Sequence, residues 1–251
     1  MSVIVDVKDL TKSYDGKKVV NKISFQVHKG EVFGILGPNG AGKTTTLEII
    51  ETLRPIDSGL ITVDGINVHD HPVRVKEIIG VQPQSSSFQD KQKLSEIIEL
   101  FAAVYGSRVN PLEILAEVDL ESKANSFAEK LSGGQRQRLS IATALVHNPK
   151  VFFMDEPTTG LDPQARRNLW DLTKRIRDKG VTVIMTTHYM DEAEILCDRV
   201  AVMDQGKIIA LDKPIVLIEN LLKKGFKKEQ KVEQANLEDV FIDLTGKALR
   251  D

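Results

Sequence analysis

Apolar and polar residues are spaced in two different ways along this chain, and the change between them divides it. In the first third, short β-branched runs bounded by glycine or polar residues, at 3–7, 23–27, 32–36 and 60–63, predict strands. Asp15-Gly16 and Asp64-Gly65 predict turns between them. From about Lys91 to His147 the apolar spacing becomes three and four, as in Leu94, Ile97, Ile98, Phe101, Val104 and Tyr105, which predicts a mostly helical segment. The run 151–154 predicts a buried strand, Pro163 the first position of a helix, and 181–186, preceded by Gly180, another strand. Strand, helix, strand in that order is the parallel βαβ pattern, so the fold class is α/β. After about Leu211 come short amphipathic pieces, a lysine-rich stretch (Lys223, Lys224, Lys227, Lys228, Lys231) and a last helix near 237–244. No internal repeat or low-complexity tract interrupts this order.

Composition narrows the class. With 251 residues, 41% hydrophobic and 28% charged, the chain is too apolar and too evenly charged for disorder, and long enough to fold one large or two small units. The single Cys197 cannot build a disulfide framework and suits a reducing compartment. Thirty-four Lys and Arg against thirty-six Asp and Glu leave a formal net charge of −2, which excludes a dominating basic field, and no nucleic-acid partner is expected. No apolar run approaches the length of a membrane span, and residues 1–10 mix Asp6, Lys8 and Asp9 into an alternation unlike a secretory signal. A cytosolic first strand is the expectation.

Two segments carry chemistry. Gly37-Pro38-Asn39-Gly40-Ala41-Gly42-Lys43-Thr44 fits G-x-x-x-x-G-K-[ST], follows the strand at 32–36 and opens a helical stretch at 45–53. Glycines there let backbone N–H groups turn toward phosphate oxygens, and the helix N-terminus adds favourable partial charge. Lys43 would reach the β- and γ-phosphates, and Thr44 would offer a hydroxyl to Mg²⁺. The apolar strand at 151–154 ends in Asp155-Glu156-Pro157, placing two carboxylates at the strand edge where ligands bind in an open parallel sheet. Phosphoryl transfer to water needs one carboxylate near the metal and one beside the water, which assigns Asp155 and Glu156 in turn. Acidic residues also finish strands for structural reasons, so this assignment leans on Lys43.

A third motif names a family. Leu131-Ser132-Gly133-Gly134-Gln135 precedes a helix through Gln137, Leu139, Ile141, Ala142 and Leu145, so a serine and two glycines present a hydroxyl and open N–H groups to an anion. With these motifs the chain resembles the nucleotide-binding subunit of an ATP-binding cassette (ABC) transporter over nearly its whole length. The resemblance implies a P-loop NTPase core on a parallel sheet, an N-terminal antiparallel β-subdomain and a helical signature subdomain at about 88–147. Together these make a nucleotide-binding domain at 1–220, followed by a short tail at 221–251.

It also implies roles. ATP is held by residues 37–44 and Thr45, with Tyr14 stacking on adenine; Gln84 in the Q-loop approaches Mg²⁺ and the water; His188 contacts the γ-phosphate. Mg²⁺ is held by Thr44, Gln84 and Asp155, and Glu156, His188 and Gln84 form the catalytic set. Ser132, Gly133, Gly134, Gln135 and the D-loop Asp162 serve the nucleotide of a second such chain, because two chains pair head to tail, here most simply as a homodimer. A separate transmembrane permease completes the machine and holds the chain at the cytoplasmic face of the membrane.

The interval from Lys43 to Ser132 shows no sustained heptads, unlike the soluble chromosome-maintenance and repair relatives. The stretch from His188 to Arg199 and the tail from Leu237 to Gly246 resemble the drug, lipid or polysaccharide exporter branch. An importer subunit, or a soluble non-transport ATPase, is the other reading. Gln82 departs from that branch, where an apolar residue is common. The lysine-rich stretch reads as a solvated linker rather than a lipid contact.

Overall fold

The computed structural model describes residues 2–84, 88 and 91–226. Ten strands and eight α-helices are present among them. β1 (Val3–Tyr14), β2 (Lys17–His28), β4 (Ser58–Val63) and β5 (Ile66–Asn67) form an antiparallel sheet in the order β2-β1-β4-β5. Its two-residue hairpins are the predicted Asp-Gly turns, with left-handed φ at Asp15 (49°) and Asp64 (47°), the geometry that matches strand twist. β1 runs well past the predicted residue 7. Register shifts and a positive φ at Asp9 let it bend and continue, and no alternation pattern reveals such a bulge.

A six-stranded sheet has the order β10-β9-β3-β8-β7-β6. It comprises β3 (Val32–Leu36), β6 (Ile79–Gln82), β7 (Val151–Asp155), β8 (Thr182–Thr187), β9 (Arg199–Asp204) and β10 (Lys207–Asp212). The β3, β6, β7, β8 and β9 pairings are parallel, and β10 returns antiparallel through a third left-handed hairpin at Gln205-Gly206. β3 and β7 are buried at every residue, as strands covered on both faces must be, so they read as continuous apolar runs. Phe33, Phe152 and Phe153 have no exposed surface, and complete burial of each ring stabilises by about 2–3 kcal/mol.

Register fixes the functional edge. Leu36 is level with Thr187 and Asp155 with Thr186, so the residues that follow β3, β7 and β8 leave the sheet side by side.

Helix α1 (Lys43–Ile50) follows β3; it begins two residues earlier and ends three earlier than its predicted span of 45–53. α2 (Pro72–Lys76) precedes β6. The segment predicted as mostly helical contains α3 (Leu94–Val104), α4 (Pro111–Glu117) and α5 (Gly133–Leu145), with two short 3₁₀ turns between α4 and α5. Asn110 stops and restarts the backbone there, capping α4 with its side chain ahead of Pro111 at the first helical position. α6 (Pro163–Asp178) opens at the predicted proline with Asp162 as its cap, and α7 (Met190–Leu196) follows β8.

Met1–Ile215 form one compact unit. Val216–Asp251 form a second, of which residues 216–226 are described and carry most of α8 (Pro214–Lys223). Lys227, Lys228, Lys231 and the helix predicted near 237–244 lie outside the described residues. Among the described residues no helix is long and apolar enough to cross a membrane.

Candidate functional site

The glycine-rich loop leaves β3 at Gly37, whose missing side chain is a steric necessity, since a Cβ there would stand 2.1 Å from the carbonyl oxygen of Met203. Gly42 caps α1 at φ 100°, and a Cβ would meet the Val19 carbonyl at 2.5 Å. Both positions accept only glycine without rebuilding the loop. The result is a cavity of about 300 Å³ lined by Asn39, Gly40, Gly42, Lys43, Thr44 and Thr45 of the loop, with Val19, Gln84 and Glu156 closing it.

Lys43 is buried, and its ammonium donates to the carbonyls of Gly37 (2.9 Å) and Pro38 (3.2 Å) while lying 3.2 Å from Glu156 Oε1. The other oxygen of Glu156 accepts from Thr159 Oγ1 at 3.3 Å and lies 3.2 Å from His188 Nδ1. Glu156 occupies a left-handed backbone conformation (φ 45°), uncommon outside glycine. Two hydrogen bonds from its N–H hold it there, to the carbonyl (3.2 Å) and hydroxyl (3.0 Å) of Thr186. The turn away from β7 points the side chain toward Lys43 and His188.

Asp155, the residue before, faces elsewhere. Thr44 Oγ1 lies 3.2 Å from each of its carboxylate oxygens, and Thr186 Oγ1 donates a short hydrogen bond to Oδ1. The two adjacent carboxyls titrate in opposite directions. Burial pushes Asp155 up, the Thr186 and Thr44 hydroxyls pull it back, and the charges of Glu156 and Glu48 add to the rise, for a net increase. Burial also pushes Glu156 up, but the hydrogen bond and charge of Lys43, helped by His188, outweigh it and hold Glu156 below the ordinary carboxylate range. Two carboxyls driven apart in this way suit two tasks: an ionised base and a cation ligand.

Gln84 is exposed and shared between this cavity and a neighbouring groove of about 210 Å³ that Glu48, Glu51, Pro83 and Asp155 also line. Gln82 is fully buried, donates to the Pro83 carbonyl at 3.2 Å and is absent from that lining. Its departure from the expected apolar residue is therefore turned into the protein.

Lys43, Thr44, Asp155, Glu156 and His188 are brought into contact, and Gln84 shares their cavity. No hydrogen bond or ion pair among the described residues links Ser132, Gly133, Gly134 or Gln135 to them. Those four begin α5, where Ser132 Oγ accepts from the Gln135 N–H (3.3 Å) and Gln135 Oε1 from the Ser132 N–H (3.1 Å). Asp162 is exposed and accepts from the Ala165 N–H at 2.7 Å. Tyr14 ends β1 exposed, with two cations at its ring, Lys12 at 5.3 Å and Arg54 at 5.8 Å. Sequence reading missed Thr186 and Thr159. The threonine pair Thr186-Thr187 at the end of an apolar strand was the available signal.

An ABC transporter family model matches residues 20–159. The linearmycin resistance ATP-binding protein LnrL of Bacillus subtilis is 40% identical over 213 residues, covering 83% of this chain and 68% of that protein. The Nod factor export ATP-binding protein I of Rhizobium etli is 40% identical over 87% of this chain and 71% of its own length. Among solved structures, the dimeric post-hydrolysis state of the ATP-binding cassette MJ0796 bound to ADP and Pi superposes with a TM-score of 0.74 at 27% identity, covering 84% of this chain and 99% of that one. The loop, the opposed carboxylates and these likenesses agree: the chain belongs to the ABC transporter family, as an ATP-binding, ATP-hydrolysing subunit.

Proposed function

We propose that this subunit powers an exporter: it drives a separate membrane permease from the cytoplasmic face and works as a head-to-tail pair of nucleotide-binding chains, most simply a homodimer. The observation that carries the hydrolytic part is the contact chain Lys43–Glu156–His188 beside Thr44–Asp155. Export is favoured by the names of the relatives, a resistance protein and an export protein. Pairing is favoured by the α5 N-terminus, whose exposed Ser132 and Gly133 have no link to the chain's own phosphate loop, and by the dimeric neighbour.

Residues present fit Mg²⁺. Asp155 and Glu48 crowd negative charge on one edge, and the Thr44 hydroxyl is already directed at Asp155. Such a set lacks the ligands of an all-protein cage, and Mg²⁺ is commonly held by one or two protein oxygens with substrate phosphates and water. Thr44, Asp155 and Gln84 would hold the ion, which when bound neutralises charge on the β- and γ-phosphates.

Loop N–H groups and Lys43 bind the phosphates and stabilise charge on the transferring group. Glu156, ionised at neutral pH, orients water and takes its proton as the new O–P bond forms and the β–γ bridging bond breaks, giving ADP and phosphate. His188, beside Glu156 Oε2, holds the γ-phosphate. Tyr14 stacks on adenine, and Asp162 with Ser132 to Gln135 serves the opposite chain's nucleotide.

Glu156→Gln tests this. Phosphate release should fall by at least about 100-fold while ATP binding persists, and ATP should drive the variant into a dimer on size exclusion. Near-normal turnover would overturn the assignment of Glu156, and a monomer at saturating ATP that of the pair. Recovery of a multi-span membrane protein with the affinity-tagged chain checks the permease.

A further inference from the structure

Beside His188 lies a polar cluster that the hydrolytic chemistry does not use. Glu192, on α7, has no exposed surface. Its Oε1 accepts from the Trp170 indole N–H of α6 at 3.0 Å. Burial raises its pKa, while the hydroxyls of Thr187 and Thr158 and the charge of Arg166 favour its ionised form. Thr158 and Thr187 are each 1% exposed. Glu192 Oε2 and Thr158 Oγ1 are both buried, and the Thr158 hydroxyl stands close enough to favour the carboxylate but outside full hydrogen-bond geometry. The Thr187 hydroxyl accepts from the Tyr189 N–H at 3.0 Å and keeps its own proton for the Glu192 carboxylate. A buried carboxylate oxygen and a buried hydroxyl that both lack a bond are complementary, and pairing them satisfies both.

The neighbours of these threonines give the cluster its meaning. Thr159, next to Thr158, and His188, next to Thr187, are the two groups at Glu156 Oε2. One buried carboxylate therefore gathers the two backbone segments that aim the catalytic one. We propose that Glu192 is a positioning residue for hydrolysis: its Oε2 takes the Thr158 hydroxyl in the nucleotide-bound arrangement and so fixes Thr159 and His188 around Glu156. The inference rests on Glu156 acting as the base. A purely structural Glu192 would only tie α7 to α6 through Trp170.

Trp170 is the sole tryptophan of the chain and is bonded directly to Glu192, so its fluorescence reads the cluster without reference to activity. Thr158→Val in the full-length protein removes the hydroxyl at nearly constant volume. The expected result is a loss of about tenfold in kcat with KM for ATP within about twofold, as for misplacement of a group that does not touch substrate. The emission change of Trp170 on saturation with Mg-ATP should fall to less than half of the wild-type change, and Thr158→Ser should restore both readouts. Wild-type kcat and emission response in Thr158→Val would overturn the proposal. So would a loss in Thr158→Val that Thr158→Ser does not restore, since a packing defect has that signature. Direct measurement of radiolabelled ATP binding separates the two levels: a wild-type chain that binds no ATP defeats the functional reading together with this one, whereas binding with no change in Trp170 emission defeats this one alone.

Discussion

The phosphate-loop edge and the start of α5 are both built to meet phosphate, and they are built in opposite ways. At the first, Lys43 from the start of α1 and Asp155 and Glu156 from the end of β7 are largely buried; Lys43 and Glu156 neutralise each other, and Thr44 and Thr186 hold Asp155. At the second, Ser132 and Gln135 satisfy each other locally in a capping box, Ser132 is exposed, and no bond to a distant residue holds either of them among the described residues. One is a catalytic centre whose parts hold each other in place; the other is a stable anion receptor that waits for a surface brought to it. Stability and turnover should therefore be coupled at the first region and separable at the second.

The largest break comes from Lys43→Ala. Turnover should drop by at least about 100-fold, and loss of one partner from a buried ion pair should destabilise the nucleotide-free chain by about 3–5 kcal/mol. The pH dependence should also change sign. In the wild type, Glu156 lies below its ordinary value, so its contribution is present above the unfolded carboxylate pKa and disappears as pH falls through the lowered value. Without Lys43, burial dominates and stability is lost as pH rises instead. Melting curves from about pH 4 to pH 8 check this, and parallel pH profiles of variant and wild type would refute it.

Ser132→Ala should behave otherwise. Loss of the cap costs about 1 kcal/mol of stability. Turnover by the pair should fall about tenfold, the equivalent of one charge-assisted hydrogen bond, while ATP affinity measured in a Glu156-intact monomer stays unchanged. A fall in monomer affinity would dissolve the distinction between the two regions.

The smallest effect probes crowding at the first region. Burial, then the charges of Asp155 and Glu48, push Glu51 up to about 8. A carboxyl raised in the folded state keeps a proton that the unfolded chain has released, so stability declines as pH rises through the interval from its ordinary value to about 8. Glu51→Gln should raise Tm by about 2–4 °C at pH 8 and have little effect near pH 5. An equal shift at both values would point to packing alone.

These two regions also differ in how far the sequence exposes them. The signature is local: Ser132 and Gln135 are three residues apart and cap each other, so the motif contains its own geometry. The phosphate loop is nearly as legible because its glycine spacing is contiguous, although the contacts that require Gly37 and Gly42 come from Val19 in β2 and Met203 in β9. The remainder of the first site depends on pairing across long sequence distances. Thr44 meets Asp155 from 111 residues away, and Thr186 bonds the same carboxylate from 31 away. An apolar strand announces its burial but not its neighbour, so nothing in residues 151–155 says that β8 will lie beside them. Residues 91–147 were legible as helical but not in their breaks, and β1 was cut short because a bulge leaves no periodic trace.

The position of β8 has a consequence for how the protein is made. The strand bearing the phosphate loop and the strand bearing the acids are not adjacent; β8, later than both in the chain, lies between them. On the ribosome, therefore, a nascent chain that has completed both motifs still has an open sheet with its central place unfilled. Nucleotide can favour the folded state only after residue 187 has emerged, so ATP acts as a ligand of chains that have already placed β8 and gives no earlier protection to the two exposed strand edges.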